Sequence, residues 1–241
     1  MNLVVDIGNT RCKAAVMERG SAVASCCAEH PDAEALAAFA APWRVGQAIV
    51  SSTRGELPGL VGALRRRFDR VVEFTPATPV PLKNDYLTPA TLGRDRLAAA
   101  VGAAALYPGR NVLVVDFGTA VTFDLVTADA TFRGGCISPG LSLRFKALHD
   151  YTARLPLSEP CEGECLVGRT TDEAVRHGVM NSLAFETEGY IDRVRGQWGD
   201  VCVIFTGGDA KYFAKRIKNT IFADCNLVLV GLDRILEAYS T

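Results

Sequence analysis

Short hydrophobic stretches separated by turn residues run through the first 75 residues. Continuous or alternating apolar runs predict strands, and apolar residues three and four positions apart predict helices. The predicted elements are strands at about 2–6, 11–17, 22–27, 46–51 and 70–75 and helices at about 32–40 and 56–68. Their order is βββαβαβ. Because the residues at 22–27 are small and apolar, that strand is predicted to be buried on both faces.

The second half of the chain repeats this pattern after a proline-rich stretch. Residues 76–89 carry four prolines, which predict an ordered loop rather than a regular element, and an alanine-rich helix follows to about residue 106. The remaining predicted elements are strands at 112–116, 120–127, 131–137, 201–206 and 226–230, helices at 140–151, 171–196 and 209–218, and a closing helix to about 239.

One short phrase, an apolar run ending in aspartate, an apolar residue and glycine, occurs at residues 3–8 and again at 113–118. Each copy leads through a turn into a second apolar strand, which predicts a hairpin with an acid at its tip. Two βββαβα units in tandem match a duplicated ribonuclease-H-like α/β fold, as in kinases, actins and chaperone ATPases. We therefore expect two lobes, 1–108 and 109–241, around a central nucleotide cleft that suits a metal-bound polyphosphate.

Composition excludes several other classes. With 49% hydrophobic residues, 22% charged residues and a net charge of −1, the chain favours neither nucleic acid nor an anionic membrane surface. The sequence carries no leader-like segment and no long apolar run, so we expect a cytoplasmic location. None of the three histidines lies in a glycine-rich or acidic cluster, which argues against histidine-based catalysis.

The eight cysteines lack the spacing of a disulfide framework or of zinc knuckles. They are interpreted as reduced thiols that act as small hydrophobic residues. Cys161 and Cys165 come closest to a ligand pair, but the sequence offers them neither a second pair nor a nearby histidine. No metal is expected there.

The first hairpin contains groups suited to a phosphate and its metal. Gly8, Asn9 and Thr10 would present backbone N–H groups and a hydroxyl at the turn, and Lys13 would direct a cation toward it. Asp6 can hold Mg²⁺ directly or through water, as phosphoryl transfer requires. The alternative is an asparagine-stabilised hairpin with a solvated lysine.

The second hairpin repeats this chemistry. Thr119 can donate to a phosphate oxygen, and Asp116, an acceptor when ionised, suits a cation or its waters. Alternatively, Asp116 accepts only turn N–H bonds. Thr122 and Asp124 alternate with apolar residues and can be read as the solvated face of a strand.

A third candidate segment is Gly93–Arg96, directly before the alanine-rich helix. Asp95 could accept a hydroxyl proton, and Arg96 is the better candidate to hold an anionic substrate. A plain helix N-cap is the competing interpretation of Asp95. Glycine turns at 134–140 and at Gly207–Gly208 lie between strands and helices, where they could contact a nucleotide or simply close a loop.

In order, the motifs D-I-G-N-T-R-C-K, Tyr86 with L-G-R-D-R, D-F-G-T-A-V-T-F-D, G-G-C-I-S-P-G and T-G-G-D make the chain resemble the type III pantothenate kinases. The resemblance covers essentially the whole chain. It implies ATP-dependent phosphorylation of pantothenate to 4′-phosphopantothenate, the first step of coenzyme A biosynthesis.

The resemblance also implies residue roles. Residues Asp6 to Lys13, with Gly207 and Gly208, would surround ATP and Mg²⁺, and Thr119 would add an ATP contact. Asp116 would bind a monovalent cation, K⁺ or NH₄⁺. The substrate would contact residues in both subunits of a homodimer, with Asp95 as the base: Tyr86, Gly93, Arg94, Asp95, Arg96 and, from the neighbouring subunit, Thr171.

Two alternatives stay open at this point. One is a kinase of the same superfamily that acts on another small hydroxyl substrate; the other is a non-catalytic nucleotide-binding regulator of the same fold. Phe145, Leu148 and Tyr151 could contact the second subunit, although an apolar helical stripe more often faces the core.

Overall fold

The structure is a computed structural model that describes residues 1–29, 32–55, 57–163, 165–217, 221–222 and 226–239. The strands are β1 Asn2–Ile7, β2 Cys12–Glu18, β3 Ser21–Ala28, β4 Gln47–Ser52, β5 Arg70–Glu73, β6 Lys83–Asn84, β7 Asn111–Phe117, β8 Ala120–Thr127, β9 Thr131–Pro139, β10 Val201–Thr206 and β11 Ile221–Phe222. The helices are α1 Ala33–Ala40, α2 Pro58–Arg65, α3 Arg94–Leu106, α4 Leu141–Asp150, α5 Thr171–Trp198, α6 Ala210–Phe213 and α7 Leu227–Tyr239, with a 3-10 turn at Pro89–Thr91.

The two sheets share one strand order. The first sheet runs β3-β2-β1-β4-β5, with β1 antiparallel to β2 and parallel to β4. The second runs β11-β10-β7-β8-β9-β6, with β7 parallel to β10. If the strands of each repeat are numbered from one, both sheets have the order third, second, first, fourth, fifth, read from β3 in the first sheet and from β9 in the second. Strand β6 is an addition at the edge of the second sheet. The predicted duplicated ribonuclease-H-like α/β fold is confirmed.

Contacts divide the chain into two compact units. The first contains Met1–Gly109, Val126–Gly134 and Asn226–Thr241, and the second contains Arg110–Leu125 and Gly135–Cys225. The predicted lobes at 1–108 and 109–241 follow the sequence repeat, and their boundaries differ from those of the two contact-based units. The two lobes stay a prediction.

The core of the first unit follows the two-residue period of its strands. Leu3 and Val5 of β1 face a cluster that contains residues of α1 and α2, whereas Val4 belongs to a cluster with residues of α3 and α7. In the second unit, alternate residues of β7 join one cluster with α4 and α5. No helix in the described part of the chain is both long and apolar enough to span a membrane.

The predicted strand at 226–230 is wrong, because these residues begin helix α7. Its β-branched residues favour a strand locally. The apolar positions nevertheless continue at helical spacing through Leu232, Ile235 and Leu236, which are buried in the cluster shared with α3.

Two other element predictions need correction. Strand β3 is mostly exposed instead of buried on both faces: it is an edge strand, and none of its residues belongs to a hydrophobic core cluster. Helix α6 ends at Phe213, although the pattern predicts a helix to 218. Position 218, Glu56, His30 and Cys225 lie outside the described residues.

The cysteines match the hydrophobic interpretation only in part. Cys12 and Cys202 are buried, but Cys26, Cys27 and Cys136 are exposed. The fold also brings a histidine to a cysteine that the sequence left without one: both ring nitrogens of His177 lie 3.9 Å from the Cys161 sulfur. No group of three or more potential metal ligands occurs among the described residues.

Helices α3 and α7 approach each other through glycines. A Cβ atom added to Gly231 would lie 1.8 Å from the carbonyl oxygen of Ala98, and one added to Gly102 would lie 2.4 Å from that of Leu227. Only glycine allows the two backbones to come this close. The contact holds α7 against α3 within the first unit.

We expect Gly231→Ala to lower the free energy of unfolding by about 1–3 kcal/mol, because the helices must separate to admit the methyl group. Gly62→Ala is the matched control, since Gly62 lies in α2 with open space around it. There the gain in helix propensity predicts no loss, or a gain of up to about 1 kcal/mol. Urea titration of both variants measures the difference; equal stability would contradict the close contact.

Candidate active site

The first hairpin places Asp6 and Lys13 side by side. They are directly paired in the β1–β2 register, so their side chains lie on the same face of the sheet. Both are partly exposed. An acid and a cation are therefore neighbours at the end of β1.

The turn itself differs from the prediction in one respect. The backbone N–H of Gly8 donates to the carbonyl oxygen of Arg11 at 3.0 Å, so it closes the turn and is not directed at a ligand. Asn9 and Thr10 are exposed at the tip. Any phosphate contact from this turn would fall to those two residues.

Arg54, which sequence reasoning missed, extends this cationic group. Its Nε donates to the carbonyl oxygen of Gly8 at 2.8 Å. The residue before it, Thr53, donates its backbone N–H to the carbonyl oxygen of Ile7 at 2.9 Å. The position of Arg54 directly after β4 could have indicated this contact. Because β4 runs parallel to β1, the residues after its carboxyl end lie beside the first hairpin.

Cys12 forms the buried base of the hairpin beside these charges. Burial, with the nearby negative charge of Asp6, raises the pKa of the Cys12 thiol to about 12. The thiol therefore stays neutral at physiological pH. It acts here as the small hydrophobic residue that the sequence suggested.

Tyr86 and Arg96 come together in the first unit. The Arg96 guanidinium lies 5.6 Å from the centre of the Tyr86 ring and 6.0 Å from that of Phe132, and the residue is only 6% exposed. Contacts of this kind are favourable for a cation that has lost water. Phe132, which sequence reasoning missed, thus completes an aromatic setting for the predicted anion clamp.

Asp95 lies in the first turn of α3 but is not its N-cap. Gly93 occupies the N-cap position, and Asp95 Oδ1 accepts a hydrogen bond of 2.8 Å from the backbone N–H of Arg96. No hydrogen bond to Asp95 Oδ2 occurs among the described residues. A Cβ added to Gly93 would lie 2.7 Å from Asp95 Oδ1, so glycine leaves the room that this carboxylate needs.

Arg94 has an unused donor. Its Nη1 atom is buried and has no hydrogen-bond partner among the described residues. An arginine donor in this state favours binding of an anion, since an unsatisfied buried N–H group is costly. Arg94 is therefore as good a candidate for an anionic substrate as Arg96.

In the second unit, Asp116 lies against a glycine turn. It pairs in register with Thr206, the last residue of β10, and Gly207 comes next with φ of +93°. A Cβ added to Gly207 would lie 2.4 Å from Asp116 Oδ1 and 2.5 Å from the carbonyl oxygen of Phe117. A carboxylate oxygen and a carbonyl oxygen therefore pack closely against Gly207, and the carbonyl oxygen of Phe117 also accepts from the backbone N–H of Asp209 at 3.1 Å.

The turn that contains Thr119 is contacted by Gly140. The backbone N–H of Gly140 donates to the carbonyl oxygen of Thr119 at 3.0 Å, and a Cβ added to Gly140 would lie 2.2 Å from the carbonyl oxygen of Gly118. Gly140 is also the N-cap of α4. Thr119 itself remains exposed, and so does Gly208 beyond the Asp116 contact.

Asp124 is not on a solvated face. It is buried, and a Cβ added to Gly135 on the neighbouring strand would lie 2.4 Å from its Oδ1. Alternation of polar and apolar residues along a strand does not show whether the polar face is exposed to solvent or packed against a glycine of the neighbouring strand. Thr122 on the same strand is half-buried.

Thr170 and Thr171 have different roles at the start of α5. The Thr170 hydroxyl accepts from the backbone N–H of Glu173 at 3.2 Å, and Glu173 Oε2 accepts in return from the N–H of Thr170, also at 3.2 Å. This reciprocal capping box occupies the Thr170 side chain. The neighbouring Thr171 is exposed in the first helical position.

Two solved structures show the breadth of the fold. A conserved putative Baf family transcriptional activator from Campylobacter jejuni matches with a TM-score of 0.66 at 19% identity, covering 99% of this chain and 98% of that one. A putative N-acetylmannosamine kinase from Listeria monocytogenes matches with a TM-score of 0.55 at 13% identity, covering 100% and 99%. Fold and hairpins together define this chain as a member of the duplicated ribonuclease-H-like class that includes small-molecule kinases.

Sequence comparison identifies the family within that class. The type III pantothenate kinase family profile matches residues 2–193. A type III pantothenate kinase from Phocaeicola vulgatus is 40% identical over 242 residues, which cover 98% of each chain. This chain belongs to the type III pantothenate kinase family.

Adjacent glycines offer a test of the Asp116 contact. Gly207→Ala should lower the thermal midpoint, because it forces a side chain into a positive φ and against the Asp116 hairpin; the strain alone costs about 1–2 kcal/mol. Gly208→Ala should change the midpoint little, since that site is open. Similar midpoints for both variants, measured by calorimetry, would contradict the proposed role of Gly207.

Proposed function

We propose that this chain transfers the γ-phosphoryl group of ATP to the primary hydroxyl of pantothenate, giving 4′-phosphopantothenate in the first step of coenzyme A biosynthesis. The observation that carries this proposal is the family match over nearly the whole chain, together with an intact set of acids and cations at the predicted positions. The location we propose is the cytoplasm.

Asp95 is the proposed base. Its Oδ1 atom is held by the Arg96 N–H, which leaves Oδ2 to accept the proton of the substrate hydroxyl. The hydroxyl oxygen then bonds to the γ-phosphorus as the bond from that phosphorus to the β,γ-bridging oxygen breaks, and ADP leaves. A fixed Oδ1 orients the carboxylate before the substrate arrives.

The charge on the phosphates is balanced by the first hairpin. Lys13 and Arg54 supply fixed positive charge at the end of β1, and Asn9 and Thr10 are placed to donate to phosphate oxygens. Gly207, Gly208 and Thr119 are the proposed ATP contacts of the second unit.

Two metal ions complete the proposal. The oxygen donors fit hard cations: Asp6 would hold Mg²⁺, directly or through water, and Asp116 with the Phe117 carbonyl would hold K⁺ or NH₄⁺. When bound, these ions offset the negative charge of the triphosphate.

Pantothenate would lie in the segment from Tyr86 to Arg96. Its carboxylate would pair with Arg94 or Arg96, because Arg94 Nη1 is a buried donor with no partner among the described residues and Arg96 is stacked on aromatic rings. Tyr86 and Gly93 would shape the remainder of the pocket. An anion clamp of this kind favours an acid such as pantothenate over a neutral sugar.

The working unit we propose is a homodimer in which Thr171 reaches the substrate of the neighbouring subunit. Support comes from the second unit, where large hydrophobic side chains are exposed: Ile137, Leu143, Tyr151, Leu157, Leu166, Val167 and Phe185. Among the predicted contacts, Tyr151 is 89% exposed, whereas Phe145 is buried and Leu148 packs against the core. Because Thr170 is committed to the helix cap, Thr171 is the threonine that remains for this contact.

Asp95→Asn should lower kcat by about 10²–10⁴-fold, since the amide cannot accept the hydroxyl proton. The KM for ATP and the thermal midpoint should stay near wild type, because the amide oxygen can still accept from the Arg96 N–H. Asp95→Ala is the companion variant and should lose both the activity and part of the stability. If Asp95 only stabilises its helix, the Asn variant will keep its turnover while the Ala variant will not.

Wild-type chain should release ADP when it is given ATP, Mg²⁺ and pantothenate, and this release should rise with added K⁺ or NH₄⁺. Asp116→Asn should raise the K⁺ concentration for half-maximal activity by about 10-fold or more, because the site loses a full negative charge. Asp192→Asn, an exposed carboxylate on α5, serves as the control.

A coupled assay that follows ADP, run with pantothenate and with a panel of other hydroxyl compounds, measures both effects. Activity with a neutral sugar but not with pantothenate would favour the alternative of a kinase that acts on another small hydroxyl substrate. ATP binding without turnover on any acceptor would favour the regulator. An unchanged K⁺ dependence in Asp116→Asn would contradict the cation site.

A further inference from the structure

The Tyr86 ring is held in place by three neighbours on two other segments of the first unit, β9 and α3. It lies 6.1 Å, centre to centre, from the Phe132 ring, and the Arg96 guanidinium lies 5.6 Å from its centre. Its edge also covers Gly134, where an added Cβ would lie 3.5 Å from Tyr86 Cδ2. The position of the ring therefore depends on how the Tyr86 segment is attached to β9.

The attachment through the backbone is short. Strand β6 has only two residues, Lys83 and Asn84, and they pair with the first residues of β9. The N–H of Asp85 donates to the carbonyl oxygen of Phe132 at 3.0 Å, and the Asn84 side chain accepts from the N–H of Tyr86, also at 3.0 Å. A strand of two exposed residues is marginal on its own.

Arg133 adds a second attachment. Its Nη1 forms an ion pair with Asp85, the residue directly before Tyr86. Its Nε donates to the Thr127 hydroxyl at 3.1 Å, and its Nη2 lies 3.8 Å from Asp129 Oδ2. One guanidinium thus joins the Tyr86 segment to both the end of β8 and the turn between β8 and β9.

The turn side of this network is itself ordered. Asp129 accepts from the Thr127 hydroxyl at 2.7 Å and from the Thr131 hydroxyl at 2.8 Å. These hydrogen bonds, with the charge of Arg133, lower the pKa of the Asp129 carboxyl, which favours its charged form. Arg133 therefore has a fixed anchor on which to hold Asp85.

We propose that Arg133 is a positioning residue for substrate binding, which acts by holding Asp85 and so placing the Tyr86 ring over Phe132 and Gly134. This inference rests on the proposed function, in which Tyr86 contacts pantothenate. The Arg133 side chain is 35% exposed and that of Asp85 is 52% exposed, so the pair contributes little to global stability. Its effect is on the geometry of the substrate site.

Arg133→Gln should raise the KM for pantothenate by about 10-fold, with kcat, the KM for ATP and the thermal midpoint close to wild type. Arg133→Lys should recover part of the loss, because lysine keeps a charge for Asp85 but cannot also donate to Thr127 and Asp129 through a fork. Arg110→Gln is the matched control, since it removes a comparable exposed ion pair, 3.2 Å to Asp200, in the second unit. Its kinetics should equal those of wild type.

The Asp85 step is tested separately. Asp85→Asn should raise the pantothenate KM to a similar degree. The double variant Asp85→Asn/Arg133→Gln should raise it no further, because each single change already removes the same Arg133–Asp85 ion pair. A wild-type pantothenate KM in Arg133→Gln would overturn the inference while leaving the proposed function intact. A thermal midpoint that falls together with both KM values would also overturn it, in favour of a general structural role. Failure of the wild-type chain to phosphorylate pantothenate would overturn the proposed function and this inference with it.

Discussion

The second hairpin depends on close contact between bare backbones. Gly207 and Gly140 press against opposite parts of the segment Asp116–Thr119, at distances that no side chain could tolerate. Because the contacts are to backbone and carboxylate oxygens, a larger residue could not be accommodated by a change of rotamer. The position of the Asp116 carboxylate is therefore set by the backbone of two separate loops.

The two units place different residues after the first and fourth strands of the same sheet order. In each, an acid near the end of the first strand pairs in register with a hydroxyl residue of the fourth, Asp6 with Ser51 and Asp116 with Thr206. The segments after the fourth strand differ. The first unit continues into Arg54, which brings a cation to its hairpin, whereas the second continues into Gly207, which brings bare backbone. A positively charged turn suits phosphate, whereas a carboxylate such as that of Asp116 suits a cation.

The internal repeat was sufficient to predict the duplicated ribonuclease-H-like fold, because a repeated hairpin followed by β-α-β units permits few topologies. Local pattern failed where tertiary packing decided the outcome. The local pattern of residues 226–230 predicts a strand, but their packing against α3 makes them part of a helix. The composition of β3 predicts burial, but the strand lies exposed at the sheet edge. Among site residues, the acids lay in motifs, whereas Arg54 and Phe132 reach the site through strand pairing and aromatic packing that no short motif records.

Neighbouring residues of one motif have different roles because the helix ends engage some of their polar groups and not others. In the pair Thr170–Thr171 the capping box engages the first hydroxyl, and in the segment Gly93–Arg96 the helix N–H groups engage only one oxygen of Asp95. Local hydrogen bonding thus selects which polar groups remain for a ligand. A sequence motif identifies the group of candidate residues, and the hydrogen bonds at the start of α3 and of α5 determine which of their polar groups remain for a ligand.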